Sequence, residues 1–366
     1  MSPVPVPPAA PGALAPNNAA TMRAVRLVQP GQPVAPFEVP IPSLAPHEVL
    51  VRVRAAGICH SDVHYRAGRS RVEPLPLTLG HEVAGDIVAV GTAVRGRAVG
   101  DRVCLHYLVI CGRCTHCLAG REQFCETGLM LGHFTDGGWA EYIAVPERNA
   151  VLLPDHVPYE HGAVMMCSSA TSLHALRKGR LTPGDTVLVV GAGGLGMSAV
   201  QLARELDAAL VVAADRDPAK LALAARFGAT PIDTSGLSPA AAADAVRALT
   251  GGRGVDVALE LVGHADTVQL ALKSVAPLGR AVVVGLSDAA VPIDTYRDLI
   301  GREGELIGSN DHLLTELEEL TAMAARGALV LDDVVTNRVP LDADAINDVL
   351  DALAQHRAPV RTVIVP

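Results

Sequence analysis

Hydrophobic positions along the chain change their spacing once. From about residue 22 to residue 150, short Val-rich runs recur at Val49–Val53, Val83–Val90, Val99–Leu105 and Trp139–Val145. Glycine and proline punctuate them, which predicts an all-β segment of short strands. After about residue 165, apolar runs at Thr186–Val190, Leu210–Ala214, Val255–Glu260 and Ala281–Gly285 alternate with helical spacing at Leu195–Leu206, Pro218–Phe227 and Ala265–Val275. That alternation predicts a doubly wound parallel sheet, and the unbroken apolar runs predict strands covered on both faces. The last segment, about 310–366, predicts helices at Leu313–Arg326 and Ala343–Gln355 and a closing strand at Val360–Val365. No internal repeat is present. The pattern is that of an α/β protein with a β-rich part and a parallel-sheet part, and 366 residues suffice for about two domains.

Composition and charge narrow the function classes. Hydrophobic residues make up 49% and charged residues 19%, which excludes a disordered chain. The net charge of −9 repels phosphate backbones, so nucleic acid is not an expected partner. No apolar run approaches the roughly 18 residues of a membrane span. The stretch from Met1 to Ala20 is Pro/Ala-rich, without a charged start or an uninterrupted apolar core. It reads as a flexible extension over 1–21, with the folded part starting at Met22, rather than as a signal peptide. The seven cysteines are odd in number, which argues against a disulfide framework and for a reducing, cytoplasmic location.

Two contiguous motifs carry chemistry. Gly191-Ala192-Gly193-Gly194-Leu195-Gly196 follows a predicted strand and opens a predicted helix. Its glycines permit a tight turn and close approach of a pyrophosphate, and the helix N-terminus faces the phosphates. Asp215 stands nineteen residues after Gly196, at the end of the next strand. A carboxylate there suits the adenosine ribose hydroxyls and repels a 2′-phosphate, which favours NAD over NADP. Arg216 beside it is a further candidate on the cofactor side. The second motif is Cys111-x2-Cys114-x2-Cys117-x7-Cys125. Four thiolates at this spacing can close a tetrahedral zinc site with no open position, so the site is expected to be structural.

A third set of residues is dispersed. Cys59-His60-Ser61-Asp62-Val63-His64, Gly80-His81-Glu82 and Cys167 each say little alone. Together they supply two sulfurs and an imidazole, the ligand set of an open, catalytic zinc site. With these residues, the four-cysteine lobe, the glycine run, Asp215, Lys220 and the closing Arg361-Thr362-Val363, the chain resembles the zinc-dependent medium-chain alcohol dehydrogenases. The resemblance runs from Met22 to Pro366.

The resemblance implies a GroES-like catalytic domain (22–168 and 310–366) interrupted by a Rossmann domain (169–309). It implies two zinc ions per chain and NAD. Cys59, His81 and Cys167 fall where the family places the catalytic zinc ligands, with Glu82 behind the metal and Asp62 orienting a ligand imidazole. Ser61 and His64 fall at the two ends of a proton relay. His60 and Arg361 match positions that touch the pyrophosphate, and Lys220 a lysine near the adenosine ribose; for His64 and Lys220 the alternative is a solvated surface residue. Leu286 is a candidate on the cofactor side. Tyr107 and Leu108 match pocket positions, with Phe134, Trp139 and Leu286 weaker pocket candidates for which core packing is the alternative. The implied reaction is reversible oxidation of a primary or secondary alcohol to an aldehyde or ketone, with hydride transfer to NAD. A polyol dehydrogenase, suggested by Ser61–Tyr65, is the alternative; Cys167 at the third ligand position and the complete cysteine lobe favour a simple alcohol. A non-catalytic NAD- and zinc-binding protein is the remaining reading. The family implies a homodimer or homotetramer. Cys104 is left over and is expected to be an ordinary core residue.

Overall fold

The structure, a computed structural model, describes residues 20–287 and 289–366. Residues 1–19, and with them nearly all of the expected N-terminal extension, lie outside the described residues. The first strand starts at Thr21, one residue before the expected start of the fold.

Among the described residues, the β-rich part centres on one antiparallel strand, Glu48–Ile58. Its sheet runs in the order Ala150–Leu152, Arg102–Leu105, Val83–Val90, Glu48–Ile58, Arg361–Val365, Val335–Pro340, and Tyr142–Pro146 also pairs with the central strand. The strand from the C-terminal end thus inserts beside the central strand of the first segment. A smaller sheet joins Ala35–Pro40, Thr21–Leu27 and Leu77–Thr78. Trp139 is fully buried among the apolar side chains under these sheets.

The second part is a parallel sheet of six strands among the described residues. Their order is Thr230–Asp233, Leu210–Asp215, Thr186–Val190, Val255–Glu260, Val275–Val283, Glu305–Gly308. Order turns back at Thr186–Val190, the kind of switch point outside whose carboxyl ends such sheets bind ligands. Val187, Leu188 and Val189 are all inaccessible to solvent, because helices cover both faces of this central strand.

The two parts meet along a long helical stretch. Helices Tyr159–Val164 and Ala170–Lys178 flank a π-helical turn, Met165–Ser169, that carries Cys167. Such widened turns recur at functional sites, because they displace a side chain from regular helical spacing. Helix Leu314–Ala325 and helix Ala343–Ala354 agree with the expected C-terminal helices to within one residue at each end. The strands Thr230–Asp233 and Glu305–Gly308 and the helix Pro239–Ala248 are additional to the elements expected from the pattern. No helix among the described residues is long and apolar enough to cross a membrane.

Candidate active site

Strand register assembles the first cluster. Val83 pairs with Ala56, which sets Glu82 beside Gly57 at the end of the central strand. A Cβ on Gly57 would lie 1.8 Å from Glu82 Oε2, so only glycine admits the carboxylate here. Thr362 pairs with Ile58 on the other side and brings Arg361 next to Cys59. Gly80 sits at φ +92°, and a Cβ there would lie 2.2 Å from Trp139 Cδ1. Trp139 donates its indole N–H to Gly57 O at 3.3 Å, so it buttresses the strand ends from beneath rather than lining a pocket.

Cys59 caps the short helix His60–Arg66, and its backbone N–H donates to Asp62 Oδ2 at 2.8 Å. This is the capping geometry that an acidic residue at the third helical position provides. It leaves Asp62 Oδ1 3.6 Å from His81 Nδ1, a fully buried pair. Cys59, His81, Glu82 and Cys167 are all buried, each offering one ligand atom within 4.8 Å of the others. The two sulfurs are 4.0 Å apart.

Buried polar atoms normally find partners. Both ring nitrogens of His81, Asp62 Oδ1 and Glu82 Oε1 have none among the described residues. Two thiols, an imidazole and orphaned buried donors in one place fit a tetrahedral zinc ion with an open position. The hydrogen bond between the two thiols holds Cys59 well below the usual thiol range and pushes Cys167 well above it. Burial pushes the Glu82 carboxyl up to about 7, although Arg361 beside it pulls the other way.

Arg361 ties this cluster to the glycine run. Its guanidinium pairs with Glu82 inside the protein, and a Cβ on Gly194 would lie 2.5 Å from Arg361 Cδ. Gly193 caps the helix Gly194–Glu205, whose first turn includes Leu195 and Gly196. Gly191 has φ +97°, and Gly196 packs so closely that a Cβ would lie 2.0 Å from Gly191 O. Asp215 Oδ2 accepts from the backbone N–H of Ala192 at 2.7 Å. Its Oδ1 accepts from the N–H groups of Arg216 and Asp217, at 2.7 and 2.9 Å. The carboxylate therefore braces the glycine turn from the neighbouring strand. Lys220 lies one helical turn on, its Nζ 3.9 Å from Asp217.

The remaining expected residues divide by location. Ser61 Oγ lies 3.8 Å from Cys59 Sγ, within the cluster. His64 is half-buried one turn along the same helix, its ring 5.6 Å from that of the exposed His60. His60 also stacks on His356, a neighbour without a sequence signal. Tyr107 and Leu108 are buried, and the Tyr107 ring meets His81 edge to face at 5.3 Å. Phe134 instead lines a surface groove with Val72, Leu75 and Leu129. Leu286 is exposed and its carbonyl packs against Gly263. Cys104 is fully buried, and burial pushes its thiol up to about 12, as suits an inert core residue.

The second cluster is the four-cysteine lobe. The ligand atoms of Cys111, Cys114, Cys117 and Cys125 lie within 4.8 Å of one another. Backbone N–H groups point at the sulfurs, from Cys114 to Cys111 and from Cys111 to Cys125, each at 3.3 Å. Backbone donors from Arg113 and Cys114 hold the Cys111 thiol down to about 6. The donor set fits a closed four-thiolate zinc site.

Two family models match the chain. The alcohol dehydrogenase GroES-like domain covers residues 45–155, and the zinc-binding dehydrogenase domain covers residues 194–326. An L-threonine 3-dehydrogenase of Bacillus licheniformis is 35% identical, over 86% of this chain and 91% of that protein. An NAD-dependent alcohol dehydrogenase of Saccharolobus solfataricus is 34% identical, over 94% of this chain and 100% of its own length. A zinc-binding dehydrogenase of Sinorhizobium meliloti 1021, solved with NADP bound, superposes with a TM-score of 0.86 at 32% identity, covering 95% of this chain and 100% of that one. Agreement in sequence over almost the whole length, in fold and in both domain models means that the chain belongs to the zinc-dependent medium-chain alcohol dehydrogenase family.

Proposed function

We propose that the protein reversibly oxidises a primary or secondary alcohol to an aldehyde or ketone, with NAD as the hydride acceptor. One observation supports this most directly. A buried, solvent-shielded set of thiol and imidazole donors is linked through Glu82 and Arg361 to the glycine turn of a Rossmann sheet. In this reading the segments 22–168 and 310–366 form the catalytic domain and 169–309 the cofactor domain.

Cys59, His81 and Cys167 would hold one zinc ion, with Glu82 behind it, and the four lobe cysteines a second. The metal supplies a Lewis acid that lowers the pKa of the substrate hydroxyl, and NAD accepts the hydride. Asp62 fixes the tautomer and orientation of His81. Ser61 takes the hydroxyl proton, and His64, one turn along the same helix, passes it outward. Arg361 and the N-terminus of helix Gly194–Glu205 receive the pyrophosphate. Asp215 faces the adenosine ribose, where its charge disfavours a 2′-phosphate.

The test is NADH or NADPH formation from a panel of alcohols, run beside a zinc count. Activity with NAD preferred and two zinc ions per chain is expected. Turnover of no alcohol in protein that carries both zinc and NAD would overturn the reading in favour of a binding protein.

A further inference from the structure

Tyr107 and Asp311 belong to different segments of the chain and meet at the edge of the proposed reaction centre. The Tyr107 ring stands edge to face against His81 at 5.3 Å. Its hydroxyl donates to Asp311 Oδ1 at 2.9 Å. The Asp311 carboxylate therefore lies one tyrosine side chain away from a candidate metal ligand. Asn310 donates to its other oxygen at 3.1 Å. Among the described residues, no lysine or arginine pairs with it.

Each carboxylate oxygen can accept two hydrogen bonds, so one acceptor position on each remains open. Asp311 is half-buried and adopts φ +53°, a conformation that costs energy for most residues and that Asn, Asp and Gly tolerate best. Its neighbour His312 is fully buried against His106, at 3.2 Å, and locks the loop in place. A carboxylate beside an apolar alkyl chain would be desolvated without return. The same group, with an acceptor position open on each oxygen and fixed by the hydroxyl of a tyrosine that packs on His81, suits a substrate that brings a donor to it.

We propose that Asp311, held by Tyr107, is a specificity-determining residue that selects alcohols with a second hydrogen-bond donor, a hydroxyl or an ammonium, close to the carbinol carbon. This rests on the alcohol dehydrogenase reading and names the substrate class within it. Burial also raises the Asp311 carboxyl above its usual range, which a bound donor would reverse.

Three isosteric, unreactive amides test the proposal by equilibrium binding to the zinc-loaded protein with NADH. Isobutyramide carries a methyl group where lactamide carries a hydroxyl and alaninamide an ammonium. Fluorescence titration of bound NADH is expected to show lactamide, alaninamide or both binding roughly tenfold or more tightly than isobutyramide. Asp311→Gly, which keeps the positive φ and removes the carboxylate, is expected to bring the three affinities together. Asp311→Asn is expected to abolish the ammonium preference and retain part of the hydroxyl preference. The kcat/KM ratio of 1,2-propanediol to 2-butanol is expected to fall with Asp311→Gly. Equal affinities for the three amides in the unsubstituted protein, or a preference that survives Asp311→Gly, would overturn the proposal. Failure of the underlying reading would show separately, as no NADH formed from any alcohol, and would remove this inference with it.

Discussion

The backbone N–H of Leu314 donates to Glu122 Oε1 at 2.6 Å. Glu122 lies between the third and fourth cysteines of the lobe, and Leu314 opens the helix that ends at Ala325. The side chain satisfies one of the helix's unpaired N–H groups and places a negative charge at its positive end. A second carboxylate, Glu316 Oε2, accepts from Leu313 N at 2.7 Å, and its other oxygen lies 3.0 Å from His174 Nδ1. The lobe therefore helps to hold the turn that carries Asp311 and His312 against Tyr107 and His106. In the proposed reading, the metal site of the lobe acquires a physical route to the contact between Tyr107 and Asp311.

Loss of the lobe metal should be felt as weakened substrate binding before weakened chemistry. In Cys114→Ala the zinc content is expected to fall by one ion per chain, the thermal midpoint to drop, and the alcohol KM to rise more than kcat falls. Glu122→Ala tests the link alone. It keeps all four sulfurs, should keep both metals, and should lose about 1 kcal/mol of helix-cap stability together with part of the same KM effect. Metal analysis, calorimetry and steady-state kinetics on the two variants check this. An unchanged KM in both would mean that the lobe and the pocket are uncoupled.

Cys59 serves two structures at once, as candidate ligand and as N-cap of the helix His60–Arg66. The cap bond is made by its backbone N–H to Asp62, so removal of the sulfur leaves it intact. Cys59→Ala is expected to remove turnover and one zinc ion while NAD affinity stays within a few-fold. Asp62→Asn should keep the metal and lower it in affinity by about 10- to 100-fold, as loss of an orienting partner does. Isothermal titration with NAD and a zinc competition assay distinguish the two. Full activity in Cys59→Ala would exclude it as a ligand.

The contiguous motifs were the legible part of the molecule. The glycine run and the four cysteines declare their geometry because each lies within one turn or one loop. Cys59, His81 and Cys167 lie far apart in sequence, and resemblance to a family joins them where local pattern does not. Glu82 and Arg361, 279 positions apart, meet only because the last strand inserts beside the central one. Asp311, His312, Glu122 and His356 had no signal. Each is a polar residue in a turn, a bend or irregular chain or, for Glu122, in a single 3-10 turn, and its partner is chosen by the return of the chain. Three of the additional elements have physical reasons of their own. Thr230–Asp233 is an edge strand interrupted by Pro231, Glu305–Gly308 is the opposite edge, and Pro239–Ala248 is so rich in alanine that its buried face lacks contrast.

Asp215 braces the glycine turn as well as facing the proposed ribose site, so its removal should do two things. Asp215→Ala breaks three hydrogen bonds to backbone N–H groups. NAD affinity is expected to fall by about tenfold, and a further loss of order should appear as a lower thermal midpoint without cofactor. NADP loses only the brace and gains relief from repulsion, so the NAD-to-NADP ratio of kcat/KM should shrink. Parallel kinetics with both cofactors check it. A ratio that stays constant, or NADP preferred before any substitution, would show that Asp215 does not discriminate.

His106 and His312 form a fully buried pair, with Nδ1 of one 3.2 Å from Nε2 of the other. One ring donates and the other accepts, so this contact is made when both are neutral, while His106 Nε2 and His312 Nδ1 have no partner among the described residues. Tyr107 packs edge to face on His312 at 4.7 Å, which leaves no room for a hydration shell around a charged ring. Burial holds His106 down to about 3, and burial together with its histidine neighbours holds His312 well below the ordinary range. In the unfolded chain both titrate near 6.5. Between that value and about 3 the unfolded state binds more protons, so stability is complete above roughly pH 6.5 and is lost as pH falls below it. The expected slope is up to about 1.4 kcal/mol per pH unit for each ring. Urea unfolding at pH 7.5, 6.0 and 5.0 measures it. His106→Asn should be less stable at pH 7.5, by about 1–3 kcal/mol for the partner left unsatisfied, and yet lose less on acidification than the unsubstituted protein. Parallel stability profiles for the two proteins would show that this pair does not set the acid limit.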